Sequence, residues 1–433
     1  MIRKIDKVVN DRNVIVKDIP TKEYLQPEKL YFPLTNGRCA KGEVFVNEGD
    51  HVKVGQIIGR RNCGFFDQNI HSTVSGTYVG NAKKFYRKGK KVECIVIEND
   101  MKEEVADTVT DLSFEDVLEL TGEEIFDLVK ENSVVGLGGS GFPSHIKLKT
   151  TYNIDHVILN GVECEPYLTS DTRLLYEEPD KVIQGLIIMK QFFKAKRAIL
   201  TVKEDKTELI ELLNKTAKKY PEYSVEIVGV RNYYPQGYEK LVIKSVLGLK
   251  IPVAELPTKY GVMVINTTTS AAILEACRYN RAILERYFLI SGDGVNQPMS
   301  FKAKIGSIVS DLIELSGGVT DDGMDKSLII GGPMMGTSVA MDDVVISKAA
   351  SSALVLNSVP FKEETCVRCG TCVNSCPVNL SPVQLMNAAK SKNKDAAKGF
   401  NALDCMECGL CAYSCTSKIN VTDWVRKAKP LAR

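Results

Sequence analysis

Cys366-Val-Arg-Cys-Gly-Thr-Cys-Val-Asn-Ser-Cys-Pro377 and Cys405-Met-Glu-Cys-Gly-Leu-Cys-Ala-Tyr-Ser-Cys-Thr416 are two copies of one pattern near the C-terminus. Two residues between successive cysteines return each sulfur to the same side of a tight loop, so three thiolates converge. This C-x2-C-x2-C-x3-C spacing holds cubane [4Fe–4S] clusters, and in two-cluster units the fourth cysteine of each run ligates the other run's cluster. The spacing therefore assigns Cys366, Cys369, Cys372 and Cys415 to one cluster. Cys405, Cys408, Cys411 and Cys376 go to the other. Thr416 stands where the first run has Pro377, a change of turn and not of ligand. Zinc would call for paired C-x2-C ligands, and a disulfide framework belongs to exported chains. Two complete four-cysteine runs fit neither, so the chain is expected to carry single electrons.

Length and composition set the frame around these runs. At 433 residues the chain is too long for one core, and about three or four domains are expected. A hydrophobic share of 44% with 25% charged residues is that of a globular protein. The net charge of +2 gives no footprint for nucleic acid, and none is expected as a partner. The opening Met1-Ile-Arg-Lys-Ile-Asp-Lys7 has no apolar core of a signal peptide. No apolar run approaches the roughly 20 residues that span a bilayer. A reducing cytoplasm is the expected compartment, and Cys39, Cys63, Cys94, Cys164 and Cys277 are expected to be free thiols.

Working towards the N-terminus, residues 30–100 alternate apolar and polar positions, as in Val44 to Gly59 and His71 to Gly80. Their character is that of a lipoyl-like barrel-sandwich, without a lysine placed to carry a prosthetic group. From Glu115 to Ala276 strands alternate with helical patterns, which argues for a parallel, doubly wound sheet. The expected strands are Asp155–Asn160, Ala198–Val202 and Val225–Val230. The expected helices are Glu123–Asn132, Asp180–Phe193, Lys206–Tyr220, Tyr238–Leu247 and Ala271–Arg278. Residues 286–355 read as a small β-grasp module with one helix, Ile308–Leu315. Pro382–Lys390 and Ala396–Leu403 read as helices between the cysteine runs.

A second chemical signal is Gly136-Leu-Gly-Gly-Ser-Gly-Phe-Pro-Ser-His-Ile-Lys147. Such glycines leave backbone N–H groups open to a phosphate or a flat ring, and Lys147 can add a cation. It is neither a Walker A loop nor the standard dinucleotide fingerprint. Asn160-Gly-Val-Glu-Cys-Glu-Pro-Tyr167 follows a strand directly, so it belongs at the carboxyl edge of the sheet, where ligands bind. Glu163 and Glu165 can accept hydrogen bonds from sugar hydroxyls there, although a solvated acidic turn reads the same way. The four histidines are scattered and read as structural, with His145 inside the loop the one to test. Met334-Met335 reads as packing. Lys83-Lys84, Arg87-Lys88 and Lys90-Lys91 form a basic patch suited to a solvated face or to docking an acidic partner.

Taken in order, these motifs resemble the flavin-bearing NADH subunit of respiratory complex I. They resemble more closely the RnfC family, the C subunits of Rnf complexes, which are ion-translocating ferredoxin:NAD oxidoreductases. The similarity also runs through Tyr234-Pro-Gln-Gly-Tyr-Glu-Lys240 and Gly331-Gly-Pro-Met-Met-Gly336. It implies a multidomain α/β chain. Residues 1–110 would form the barrel-sandwich and 111–285 a Rossmann-like FMN/NADH domain. Residues 286–358 would form a β-grasp (SLBB) module, and 359–433 a bacterial ferredoxin-like domain with two [4Fe–4S] clusters. Carried over residue by residue, Gly136, Gly138, Gly139 and Lys147 match the family's flavin loop, with Phe142 near the nucleotide. Asn160, Glu163 and Glu165 match its acidic turn, Glu239 a later glutamate, and Asn266 with Thr267 a further flavin-contacting segment.

The implied activity is an NADH:acceptor oxidoreductase with FMN, two cubanes and no protein acid or base in the hydride step. The implied partners are NAD(H) and a redox protein, either membrane Rnf subunits or a soluble reductase such as D-proline reductase. The implied location is cytoplasmic, peripheral on the inner face of the cell membrane through those membrane partners. Leu137 and Tyr238 stand where complex I has arginine and a second glutamate. The segment Asp18–Tyr24 lacks the G-G-x-H-P opening of typical RnfC chains. A pure electron wire without nucleotide, and a cobalamin reductase, are the rival classes.

Overall fold

The computed structural model describes residues 21–37, 39–87, 89–340, 342–358 and 362–433. Met1–Lys7, the first residues of Asp18–Tyr24, Lys88 of the basic patch and Pro360 lie outside them.

Alternation builds the first domain. In the strand Lys29–Pro33, Leu30 and Phe32 are buried, while Lys29 is exposed and Tyr31 half-buried. Two small antiparallel sheets result, one built on the long hairpin Gly76–Tyr86 and Lys90–Asn99. They enclose Leu30, Phe32, Val52, Ile58, Ile70, Ile95 and Ile97. One expectation fails here: Cys39 and Cys63 are disulfide-bonded, with Cα atoms 5.1 Å apart. The strands Lys41–Val44 and Ile57–Asn62 pair with Lys41 opposite Asn62. The residues just beyond that last rung are therefore neighbours in space, although 24 positions separate the cysteines in sequence. Cys94, Cys164 and Cys277 are unpaired.

The second domain is a four-stranded parallel sheet. Its spatial order is Val225–Val230, Arg197–Lys203, His156–Asn160, Val262–Asn266. Both faces of its central strand are covered, so Val157, Ile158 and Leu159 are fully buried, as parallel strands require. Helices Pro179–Phe193 and Thr267–Tyr279 pack on one face. Helix Glu239–Leu247 covers the other through Val242 and Ile243. The strand Val262–Asn266 does not follow from the sequence reading. It lies on the far side of His156–Asn160 from Arg197–Lys203, so the winding reverses between His156–Asn160 and Val262–Asn266. Ligands bind at such a switch point, beyond the carboxyl ends of the strands. Asn160 and Asn266 sit there opposite one another.

The third domain centres on a six-stranded sheet capped by the helix Val309–Leu315. Its edge strand comes from the start of the chain: Lys22–Tyr24 pairs in parallel with Met299–Lys304, and the Tyr24 hydroxyl donates to Asp311 at 2.9 Å. In the cysteine-rich segment, the short helices Thr371–Asn374 and Leu410–Tyr413 follow the second cysteine of each run. They are related as a pair, with the Ser375 and Ser414 hydroxyls 2.9 Å apart. Pro382–Lys390 and Val421–Ala428 pack around them. Among the described residues no helix is long and apolar enough to cross a membrane.

The Cys39–Cys63 bond gives the first prediction. Peptide mapping of unreduced protein should recover the two cysteines as one linked species, and no other linked pair. For a loop of this length, reduction should lower stability by about 3 kcal/mol in urea titration.

Candidate functional site

A cavity of about 430 Å³ opens at the switch point, within the roughly 300–1,000 Å³ typical of ligand sites. Gly136, Gly138, Phe142 and Lys147 from the glycine loop line it, as do Asn160, Glu163 and Glu165 from the acidic turn, together with Glu239 and Asn266. Gly139 and Thr267 are not on this wall. Gly139 turns its carbonyl outward to Arg87, which bonds it at 2.6 Å and the Ala349 carbonyl at 3.1 Å. Thr267 is fully buried behind the wall. His145 is buried with its ring edge-to-face on Phe126, and burial lowers its pKa. It too is absent from the lining.

Local bonds fix each wall. The loop closes on itself, Gly136 N–H donating to the Phe142 carbonyl and Gly141 N–H to the Gly136 carbonyl, at 2.8 and 2.9 Å. The Leu137 side chain is buried, and its N–H donates to the Thr269 hydroxyl at 2.9 Å. Lys147 donates to the Val264 carbonyl at 3.2 Å and lies 3.6 Å from the Glu239 carboxylate, which makes it a held cation at the cavity edge. Asn160 donates to the Gly237 carbonyl at 2.8 Å and accepts from Val162 N–H at 3.1 Å. It thereby ties the acidic turn to the segment Tyr234–Lys240.

The acidic residues divide by role. Glu163 accepts from the N–H groups of Asp171 and Thr172 at 3.0 and 2.8 Å, so it caps the helix Ser170–Glu177 and braces the wall. Asn266 caps Thr267–Tyr279 through Thr268 and Thr269 N–H groups, while its amide donates to Asp171 at 2.6 Å. Asp171 has no motif around it and the sequence reading misses it. Burial, then the Glu163 charge, pushes its carboxyl up to about 6. Glu165 faces the cavity differently. One oxygen accepts from Met334 N–H at 3.0 Å and the other is buried with no partner. Burial pushes the carboxyl up to about 7 against the pull of the Met334 and Met335 N–H groups. An unpartnered buried oxygen on the wall fits a ligand with hydroxyl or N–H donors, as FMN has.

The cysteines gather into two further cavities. Cys366, Cys369, Cys372 and Cys415 line one of about 400 Å³; Cys376, Cys405, Cys408 and Cys411 line one of about 20 Å³. Each set takes its fourth member from the other run. Backbone N–H groups point at sulfur in both: Ile419 to Cys415 at 3.4 Å, and Leu380 to Cys376 and Glu407 to Cys405 at 3.3 Å. Such donors favour thiolates and tune cluster potential. The two sets differ in exposure, since Cys369 is exposed and Cys408 buried.

The inner set touches the large cavity. Met406 lines both. The Tyr234 hydroxyl donates to the Cys408 carbonyl at 2.6 Å, and Tyr234, Cys164, Met334, Met406 and Cys408 form one apolar cluster. Met334-Met335 is thus more than packing: its backbone holds Glu165, and Met335 faces the large cavity. Only the position of Met406 inside a cysteine run could have signalled its role.

Known proteins match this arrangement piece by piece. Residues 129–275 match the Nuo51 FMN-binding domain and 9–102 the RnfC barrel sandwich hybrid domain. Residues 287–338 match the SLBB domain and 358–416 the 4Fe-4S dicluster domain. The fold of an NAD+-reducing [NiFe]-hydrogenase in the H2-reduced state is similar, with a TM-score of 0.51 at 16% identity, covering 74% of this chain and 65% of that one. Fold and site together define an electron-transfer oxidoreductase that binds FMN and [4Fe–4S] clusters.

Relatives narrow this class. The chain is 34% identical over 409 residues to the C subunit of the proton-translocating ferredoxin:NAD(+) oxidoreductase complex of Clostridium ljungdahlii, covering 93% of this chain and 88% of the relative. It is 32% identical to the C subunit of the Na(+)-translocating complex of Acetobacterium woodii, covering 95% and 93%. It is also 32% identical to the C subunit of the ion-translocating oxidoreductase complex of Rhodobacter capsulatus, covering 83% and 69%. The chain belongs to the RnfC family.

Glu165 gives the second prediction. Its folded pKa is raised, so its contribution to stability is full below about 4.5 and is lost as pH rises through about 7. Relative to Glu165→Gln, flavin-free wild-type protein should lose about 2–3 kcal/mol between pH 4.5 and 8 in chemical denaturation. A difference that is flat across this range would contradict the assignment.

Proposed function

We propose that this chain accepts a hydride from NADH at the large cavity and delivers single electrons to a redox partner protein at the exposed cysteine set. When bound, FMN supplies the conversion between two-electron and one-electron chemistry. The protein's own residues position and insulate. Gly136, Gly138, Lys147 and Asn266 would hold the flavin against the sheet edge, and Phe142 would flank the nicotinamide. Glu165 stands at the wall with a carboxyl that gains or loses its proton near neutral pH.

The observation that carries this reading is Met406, which lines both the large cavity and the inner cysteine set. The two cavities share this residue in their walls, so the order would run from the large cavity to the inner cluster of Cys376, Cys405, Cys408 and Cys411. The outer cluster of Cys366, Cys369, Cys372 and Cys415 would follow. Exposure of Cys369 and Val367 makes the outer set the exit. The names of the relatives favour the other members of an ion-translocating complex as partners. They would hold this chain peripherally at a membrane and would let flow reverse towards NAD(+). A soluble reductase as acceptor leaves every residue assignment unchanged.

The test is anaerobic reconstitution with FMN and iron–sulfide, followed by NADH. Stoichiometric flavin and loss of both flavin and cluster absorbance are expected. Cys408→Ser should leave flavin reduction by NADH intact and slow reduction of the outer cluster at least tenfold. Cys369→Ser should spare the inner cluster, read by electron paramagnetic resonance. Protein that takes up clusters but no FMN would support the electron-wire reading instead.

A further inference from the structure

Behind the glycine loop, three domains meet around a second cavity of about 60 Å³. One water needs about 10–15 Å³ on this measure, so there is room for several waters or one small oxyanion. Arg61, Gln68 and His71 reach it from the barrel-sandwich, Ser347 and Lys348 from the third domain, and Gly141 from the glycine loop.

The polar groups here are short of partners. Gln68, His71 and Ser347 are 5%, 7% and 7% exposed, and each has a buried atom with no hydrogen-bond partner: Nε2, Nδ1 and Oγ respectively. Lys348 donates to the carbonyls of Asn132 and Ser133 at 3.3 and 3.0 Å, leaving one of its three N–H donors. Arg61 donates from Nε to the Pro33 carbonyl at 2.9 Å and from Nη1 to Gln68 Oε1 at 3.4 Å. Two cations and an imidazole therefore share one cavity.

No acidic side chain among the described residues balances them. Burial, then the Arg61 charge, pushes the Lys348 ammonium down to about 7. Burial, then Lys348 and Arg61, holds His71 well below its usual value. No described carboxylate acts on Arg61, His71 or Lys348. Elsewhere the buried Lys304 reaches Glu103 at 3.0 Å, and the half-buried Lys181 and Lys302 each reach two carboxylates, Glu178 and Glu275 at 3.1 and 2.6 Å and Glu178 and Glu285 at 3.1 and 3.0 Å. Charge drawn partly out of water without a counter-charge is costly, and buried donors without acceptors add to the cost.

We propose that this junction binds one small oxyanion of the sulfate or phosphate type. Lys348, Arg61, Gln68 Nε2 and Ser347 Oγ donate to it, and His71 Nδ1 donates in its protonated-nitrogen tautomer. The bound ion joins the barrel-sandwich to the third domain and backs the glycine loop at Gly141. Size sets the class, because the space admits an inorganic oxyanion and excludes a nucleotide.

Equilibrium dialysis of the flavin- and cluster-loaded protein against radiolabelled sulfate at pH 6.5 tests the proposal, with chloride and phosphate as competitors. One sulfate per chain is expected, displaced by phosphate and not by equimolar chloride. Ser347→Ala, a mild change, should weaken binding about tenfold, the loss of one hydrogen bond to an ion. Gln68→Glu supplies the missing carboxylate, so it should abolish sulfate uptake and raise the melting temperature of the sulfate-free protein. FMN content should be the same in all three proteins. No saturable uptake, displacement by chloride as readily as by phosphate, or full uptake by Gln68→Glu would each overturn the site.

Discussion

The Met334 carbonyl lies against Gly409, and a Cβ on that residue would come within 2.8 Å of it. The turn carrying Met334 also reaches Gly332, where a Cβ would meet a Glu165 oxygen at 2.3 Å. Two glycines thus let three segments touch: the acidic turn of the parallel sheet, a turn of the third domain, and the second cysteine run. Everything that makes the chain a conductor depends on this close approach. It sets Cys408 against Tyr234 and puts Met406 on the wall of the large cavity. Side chains at either glycine would wedge the clusters away from the sheet and leave two sound domains that do not communicate.

Electrostatics divides the surroundings of the large cavity in a consistent way. Glu163 is spent on a helix N-terminus, where a carboxylate is stabilised by N–H groups and the helix dipole. Asp171 is spent on Asn266 and on the Thr268 hydroxyl at 2.6 Å each. Arg286 is fully enclosed and held down to about 10 by burial, with Asp171 opposing that shift. It reaches the carbonyls of Lys348 and Leu137, stitching the third domain to the glycine loop. Glu165 alone of these acids keeps an oxygen without a partner in the protein. The acids therefore mostly build the wall, and one is left to meet a ligand.

What could be read from the sequence was what is local. The cysteine spacing anticipated which four cysteines line each of the two cavities, because a C-x2-C-x2-C loop fixes its own geometry. Pro382–Lys390 and Val225–Val230 ran as their patterns said. The helix expected over Ala396–Leu403 is split instead, into Lys394–Gly399 and a short turn at Ala402–Asp404. The losses were pairings between distant segments. Val262–Asn266 is a five-residue strand made regular only by its neighbour His156–Asn160. Asp171 gains its place from a helix cap and a bond to Asn266 95 positions away. Cys39 and Cys63 meet because two strands happen to end together. The redox role of the cysteine runs was legible at once; their proximity to the large cavity required the fold.

The strand Lys22–Tyr24 makes the order of synthesis matter. It completes its sheet only by pairing with Met299–Lys304, Lys22 opposite Phe301. At about 5–20 residues per second, the ribosome delivers that partner roughly 15–55 s later. Over that interval the barrel-sandwich and parallel sheet can close around their own local contacts, while Lys22–Tyr24 waits with its backbone groups unpaired. The third domain is thus the last of the three to mature and the one that gathers in the strand Lys22–Tyr24. Chaperone holding of that early segment would favour assembly, because an unpaired strand invites the wrong edge.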